Sequence, residues 1–412
     1  MKDDFYGELL STNLFNIYEG EVFYQNQQML IPVYTKITLQ NSPYPQIVSN
    51  TELPMNLDVD MESFPRNYSV RTRGNHIMSS SGAEFSYNDN QLLDGVTMYL
   101  NDIKTKDTEV DEIAFFIMNN SHIGLIYKLK IEYEFLYEDW VIKFQFRPDK
   151  DVENHYNKLR KNRGNEITHV GSITKKDKKS FNTKEIKQLL FSIEWYLSFC
   201  SAQSVSIPIQ IGFKNESKVW ENYVVKEGVV NHFQDTFGWL PIGEIVSFNG
   251  FFSNVATKLE QELWKDVLPI VLNWYLEIKG DGMLENKIIS TQIALEQLAW
   301  TYLVNQEQML DKEGYKKLRA TDILKLLCYQ LNIPREILEW GLLAEDFVKK
   351  YQNDGVFMFV DFRNNLVHPD KKMNTHLTDK NIQFIIYRQG LYFLERALTG
   401  IFGYEGKYRM LL

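Results

Sequence analysis

The sequence predicts an α+β protein: an N-terminal β-rich domain, sandwich- or barrel-like, followed by a C-terminal all-α helical bundle. Short Tyr/Phe/Ile/Val runs parted by turn-forming residues fill the first third of the chain, the pattern of antiparallel strands. Apolar residues then recur at three- and four-residue steps from about residue 251 onward, the pattern of packed helices. At 412 residues the chain is long enough for two or three domains. The expected boundaries are 1–147 for the β-rich domain, 148–250 for a basic connector of mixed α/β character, and 251–412 for the bundle. The connector is open to inclusion in the N-terminal domain, and its part from about 180 to 250 fits either the β-rich domain or the bundle.

In the first segment the strand candidates are Glu21 to Tyr24, Ile31 to Leu39, Val96 to Leu100, Ile113 to Met118, Gly124 to Leu136 and Trp140 to Phe146. Tyr127 to Phe135 alternates apolar and polar with period two, as a strand with one wet face does. Pro43, Pro45, Pro54 and Pro65 mark loops or edges. The connector holds a basic island, because Lys143 to Lys187 carries 13 Lys or Arg against 6 Asp or Glu in a chain whose net charge is −9. Its densest pieces contain Lys158, Arg160, Lys161 and Arg163, then Lys175, Lys176, Lys178 and Lys179. Their Asn, Gly, Ser and Thr neighbours predict loops. The two readings are a weak RNA-binding surface and a solvated linker.

Lys184 to Cys200 has helical spacing, and Val205 to Phe213 reads as a strand. Val255, Leu259, Leu263, Val267 and Ile270 then share a stripe in which Pro269 is expected to kink or restart the helix. Leu284, Ile288, Thr291, Leu295, Leu298 and Tyr302 form a bundle seam. Thr321 is the expected N-cap of a helix ending near Leu331, with Pro334 opening the next. Val356 to Val367 and Asn381 to Phe402 are the last two helices.

Composition narrows the function. No apolar run approaches the ~18 residues of a membrane span. Met1 to Phe5 lacks the flank of a secretory signal, and Cys200 and Cys328 make no disulfide framework. A soluble cytoplasmic protein is expected. The phosphate-loop, nucleophile-elbow and His-Glu-x-x-His patterns are missing, and the seven histidines are scattered, so no metal or cofactor site is expected. A metal nuclease sketched from Pro148, Asp149, Glu185 and Lys187 fails on context, because Glu185 and Lys187 begin a helical pattern where a strand is needed.

The segment Asp361-Phe-Arg-Asn-Asn-Leu-Val-His-Pro369 carries more chemistry. Val356, Phe359, Val360, Arg363 and Val367 share one helical face, so Arg363 is expected to point into the bundle, where a guanidinium needs a partner. Glu296 lies among Ile289, Ile293, Trp300 and Leu303 with no Lys or Arg at helical spacing, and is the expected partner. Asn364 and His368 are one turn apart, and Pro369 ends the helix at His368. Imidazole can move a proton near neutral pH, and a guanidinium can stabilise charge on a phosphorane. The bland alternative is a buried Arg363–Glu296 strut with His368 capping the helix.

Arg363-Asn364-x3-His368 near the end of a helical domain resembles the signature of HEPN domains. Ile293 to Trp300 looks like the acidic helix of the Apea-like members. The resemblance covers about residues 251 to 412. It implies a four-helix core that dimerises so that two motifs face one another, acting as a metal-independent endoribonuclease that serves as a toxin or anti-phage effector. It further implies that Arg363 and His368 are catalytic, Asn364 is their polar support and Glu296 holds the motif. The expected partners are RNA, a second copy, and a phage or protein trigger at the β-rich domain. The alternative is a non-catalytic HEPN-containing adaptor whose β-domain senses a ligand.

Overall fold

The structure is a computed structural model. It describes residues 14–25, 30–40, 46–52, 69–72, 77–87, 93–120, 132–162, 164–225, 233, 238–241, 244–338, 343, 345–368 and 377–409. Outside these fall the four prolines at 43, 45, 54 and 65, the alternating residues 127–131, Arg163, Pro369 and the start of the loop that follows it. The chain divides into two compact units, Met1–Leu197 with Ser204–Asp235, and Ser198–Gln203 with Thr236–Leu412. Of the stretch 148–250, the residues up to Leu197 and Ser204–Asp235 group with the β-rich unit, and Ser198–Gln203 and the residues from Thr236 group with the helices.

In the first unit β1 (Leu14–Gln25), β2 (Leu30–Gln40), β3 (Gln46–Glu52), β4 (Ser69–Thr72), β5 (Ile77–Tyr87) and β6 (Leu93–Lys104) pair antiparallel in the order β3-β2-β1-β4-β5-β6. A further β3–β6 pairing closes the ring. Closure removes open edges, which is the usual solution for a meander of this length. Inside β2 and β3, Thr35 bonds both Ser49 and Thr51 at 2.8 Å, which satisfies hydroxyls that are otherwise cut off from water.

β6 carries the sheet on beyond the ring. Gly95 to Leu100 face β3, and Asp102 to Lys104 face β14 (Ser217–Val224). From there the order runs to β13 (Ser206–Lys214), β8 (Glu112–Met118), β11 (Ile167–Lys175), β10 (Trp140–Phe146) and β9 (Glu132–Tyr137). β7 (Glu109–Val110) and β12 (Phe181–Asn182) make a separate small pair. β9 buries Tyr133, Phe135 and Tyr137 and exposes the residues between, as its period-two pattern requires. β8 lies deeper and is buried on both faces after Glu112. The helix α1 (Val152–Asn162) seats Val152, Tyr156 and Leu159 against Phe146 and Phe233. Lys158, Arg160 and Lys161 are thus helical, not in the expected loop, because the apolar spacing of those three residues outweighs the polar composition around them.

The 3₁₀ turn Thr183–Ile186, which leads into α2 (Lys187–Ser201), starts from a capping box: Asn182 N–H donates to Glu185 at 2.8 Å, and Lys184 N–H donates to the Asn182 side chain at 3.1 Å. This arrangement satisfies two otherwise orphaned donors. Glu185 belongs to that turn and Lys187 begins the helix, in line with the helical pattern expected there.

The helical unit contains α3 (Ile245–Glu260), α4 (Val267–Lys279), α5 (Leu284–Ala299), a π-helical turn (Trp300–Gln306), α6 (Lys312–Lys317), α7 (Ala320–Gln330), α8 (Glu345–Tyr351), α9 (Gly355–Val367) and α10 (Lys380–Ile401). Pro269 sits in the first turn of α4, where its missing N–H costs nothing, so of the two expected outcomes it restarts the helix and does not kink a longer one. Two other local expectations are corrected. Thr321 lies inside α7, whose N-cap is Arg319. After α7 the chain turns through Asn332 at a positive φ of 52°, and Pro334 opens no helix.

α10 is the axis of this unit, packing against α5, α7 and α9. Gly390 lets the ring of Phe359 rest on its backbone. Near the end of α10 the buried Glu395 accepts from Tyr275 at 3.0 Å and Tyr408 at 2.6 Å, with Lys279 at 3.9 Å. Donors around a desolvated carboxylate offset much of the cost of burying it.

Candidate functional site

α9 starts from the Asp354 side chain, which accepts from Phe357 N–H at 2.9 Å. It buries Val356, Met358, Phe359, Val360 and Phe362. Burial fades toward the C-terminal end, where Arg363 is half-buried and Asn364, Val367 and His368 are exposed. The helix stops at His368, with φ −126° and ψ 71°, whose backbone N–H still bonds the Asn364 carbonyl at 2.8 Å. The backbone of His368 is thereby tied to the last turn, and the residue is open to solvent.

Arg363 Nη1 donates to Asn364 Oδ1 at 3.3 Å, whereas Arg363 Nε is buried without an acceptor. Glu296 does not supply one. Its Oε1 accepts from Gln292 Nε2 at 2.6 Å, its backbone carbonyl accepts from Tyr315 at 3.2 Å, and among the described residues no ion pair joins it to Arg363. The expected Arg363–Glu296 bridge is therefore corrected. Helical spacing fixes the direction in which a residue points around its axis but not its height along it, so two inward-facing charges need not meet. Burial, the largest cause, with the charge of Glu296 adding to it, holds the Tyr315 hydroxyl above the usual phenol range.

Beside the motif, Asp361 Oδ2 accepts from Lys350 and Tyr351 at 2.8 Å each. Burial pushes the Tyr351 phenol up to about 12. Asn365 Nδ2 bonds the Asp361 carbonyl at 2.7 Å. Sequence reasoning passed over this cluster and Gln292 alike. The signal for Gln292 was its position four residues before Glu296, overlooked because only charged neighbours were considered as partners.

The basic island is not one surface. Lys175 pairs in register with Trp140, and His169 with Phe146, so opposite ends of β10 stand about 20 Å apart. α1, with its cations, follows the Phe146 end, and Lys175 to Lys179 occupy the Trp140 end. Lys158 faces Glu166 at 3.3 Å, Arg160 bonds Asn157 at 2.8 Å, and Lys161 is exposed. Lys175 bonds Glu185 at 2.9 Å and lies over the Trp140 ring. Lys176 bonds the Glu138 carbonyl, Lys178 has a left-handed backbone, and Lys179 bonds Asp177 at 2.9 Å. Asp149 is held by Arg147 at 2.8 Å, far from Glu185 at the other end of the strand. Among the described residues no His/Cys/Asp/Glu group is placed to hold a metal ion, and no helix is long and apolar enough to cross a membrane.

Residues 105–234 match the family model of the YopA central domain, and residues 261–412 that of the YopA C-terminal domain. A curated relative, the "SPbeta prophage-derived uncharacterized protein YopA" of Bacillus subtilis (strain 168), is 30% identical over 317 residues, covering 74% of this chain and 70% of the relative. The chain belongs to the YopA family. The YopA central domain takes in the sheet from β7 to β14. The YopA C-terminal domain begins just after α3 and contains Glu296, Arg363, Asn364 and His368. No solved structure matches the chain.

Proposed function

We propose that the protein is a metal-independent endoribonuclease of HEPN type, acting on RNA in the cytoplasm as a toxin or anti-phage effector. The observation that carries this reading is the end of α9, where an exposed imidazole, an exposed amide and a half-buried guanidinium occupy consecutive turns. The prophage origin of the B. subtilis relative fits a role in conflict between phage and host.

In the proposed reaction two protomers bring their motifs to one phosphodiester. One His368 imidazole takes the ribose 2′-hydroxyl proton as the 2′-oxygen bonds to phosphorus. The partner's His368, as imidazolium, gives a proton to the departing 5′-oxygen as the P–O5′ bond breaks. The products are a 2′,3′-cyclic phosphate and a 5′-hydroxyl. Arg363 stabilises charge on the non-bridging oxygens, and Asn364 orients it. The β-rich unit is the proposed sensor of the trigger.

The test is cleavage of single-stranded RNA by purified protein in EDTA. The expected result is cyclic-phosphate ends from the wild type and loss of cleavage in His368→Ala with unchanged circular dichroism. Equal cleavage by that variant sinks the reading, and no cleavage by any dimeric form favours the adaptor role.

A further inference from the structure

We infer that a strip of exposed rings running up to His368, made by Phe357 on α9 and Tyr329 on α7, stacks the unpaired bases of single-stranded RNA. This deepens the nuclease reading and rests on it for the identity of the ligand, while binding and cleavage are tested apart.

The strip begins on the helix that carries the motif. Phe357, Asp361, Asn364 and His368 recur at steps of four, three and four residues, so they share one side of α9. At ~1.5 Å of rise per residue, Phe357 stands about 16 Å from His368 along the axis. Phe357 is 38% exposed although Val356, Met358, Phe359 and Val360 around it are buried, and it has no polar end to gain from water. Its ring is nonetheless held in place. It meets the Tyr351 ring at 5.4 Å and 80°, and Lys325 of α7 lies over it at 6.0 Å. Tyr329, 77% exposed, is one turn beyond Lys325 on the same side of α7, and Lys350 lies over the Tyr351 ring at 4.6 Å. Rings and cations thus alternate across α7, α8 and α9, the composition of a surface for single-stranded nucleic acid.

The charges decide how such a ligand is held. Lys325 is paired with Asp354 at 2.7 Å and Lys350 with Asp361 at 2.8 Å, so their charge is already balanced and adds little for a phosphate. The rings therefore supply the binding, and every base offers them a π-face. A folded protein fits the strip less well, because the core of a protein interface is depleted of charge and docking would desolvate both ion pairs. A base covers a ring and leaves those pairs in water. Duplex RNA keeps its bases stacked inside and cannot offer them. At ~3.4 Å per stacked nucleotide, the distance from Phe357 to His368 corresponds to about five unpaired nucleotides beside the scissile phosphate.

The test is fluorescence anisotropy of the full-length protein with a single-stranded 2′-O-methyl RNA about ten nucleotides long, which lacks the attacking hydroxyl and so binds without being cut. Phe357→Leu keeps an apolar side chain against Tyr351 and removes the ring face, and should weaken binding about tenfold. Tyr329→Ala, at an exposed position, should also cost about tenfold, and Phe357→Trp should bind at least as tightly as the wild type. The losses should be the same at low and high salt and should vanish on a probe whose bases are replaced by abasic sites. Three results overturn the inference: both weakening variants binding within twofold of the wild type, equal losses on the abasic probe, or no affinity of the wild type for the probe, the last favouring a protein-docking surface. Cleavage is read in parallel on the unmodified RNA, where Phe357→Leu should raise KM about tenfold. Base-dependent binding without any cleavage by the wild type sinks the nuclease reading and leaves the stacking strip standing.

Discussion

Arg363 Nη1 donates to the side-chain oxygen of its own neighbour, Asn364, at 3.3 Å, so the cation and the amide of the motif are held by each other. The partner expected from another helix, Glu296, is occupied by Gln292. In the proposed nuclease this local bond gives Asn364 the part of a support for Arg363, distinct from that of His368.

Asn364→Ala should therefore lower kcat for RNA about tenfold, the value of one polar contact, without changing the melting temperature, since the side chain is exposed. Steady-state kinetics on a short fluorescent RNA checks this. A kcat within twofold of wild type would show that Asn364 orients nothing.

Gly390→Ala tests the seat of α9. A methyl at this position would overlap the ring of Phe359, which is fully buried. The expected cost is about 1–3 kcal/mol, that of an overpacked core, read as a lower urea midpoint. Wild-type stability would mean that α9 can shift freely against α10.

The β-rich unit should lose stability on acidification because of His155. Its imidazole is 4% exposed and is held below its ordinary range by burial first, against the pull of Glu166 at 3.5 Å. A base whose folded pKa is lowered contributes stability that is full above its unfolded value, near 6.5, and is lost as pH falls toward the folded value. From pH 7 to 5 the loss should reach on the order of 1–2 kcal/mol. His155→Gln should flatten that dependence in urea unfolding, and an equal pH slope in both proteins would count against the assignment.

Lys175 and Lys179 are each bonded to a carboxylate at 2.9 Å. Replacing both by Gln should change RNA affinity less than about twofold, and leave the slope of log affinity against log salt unchanged. Fluorescence anisotropy at two salt concentrations decides this. A slope smaller by one unit or more would show that these lysines track phosphates.

The division into strands followed by helices was legible because the two periodicities differ, as in the alternation of β9 and the stripe Leu284, Ile288, Leu295, Leu298. The end of α9 at His368 was legible for a similar reason, since Pro369 disfavours helix at the residue before it. Ring closure through β3 and β6 was not: these strands stand more than forty residues apart, and their backbone pairing leaves no mark in side-chain type. The course of the chain around Thr321 and Pro334 depended on the packing of neighbouring helices, which overrides local preference.

By itself the sequence determined that strands precede helices and that Arg363, Asn364 and His368 share the end of one helix, since these follow from spacing along a single chain. Only the tertiary structure decided that Glu296 turns to Gln292, that the basic residues split between the two ends of β10, and that Arg363 Nε is buried without an acceptor. Each of those depends on the height at which one element packs against another, and that is set by the fit of whole surfaces.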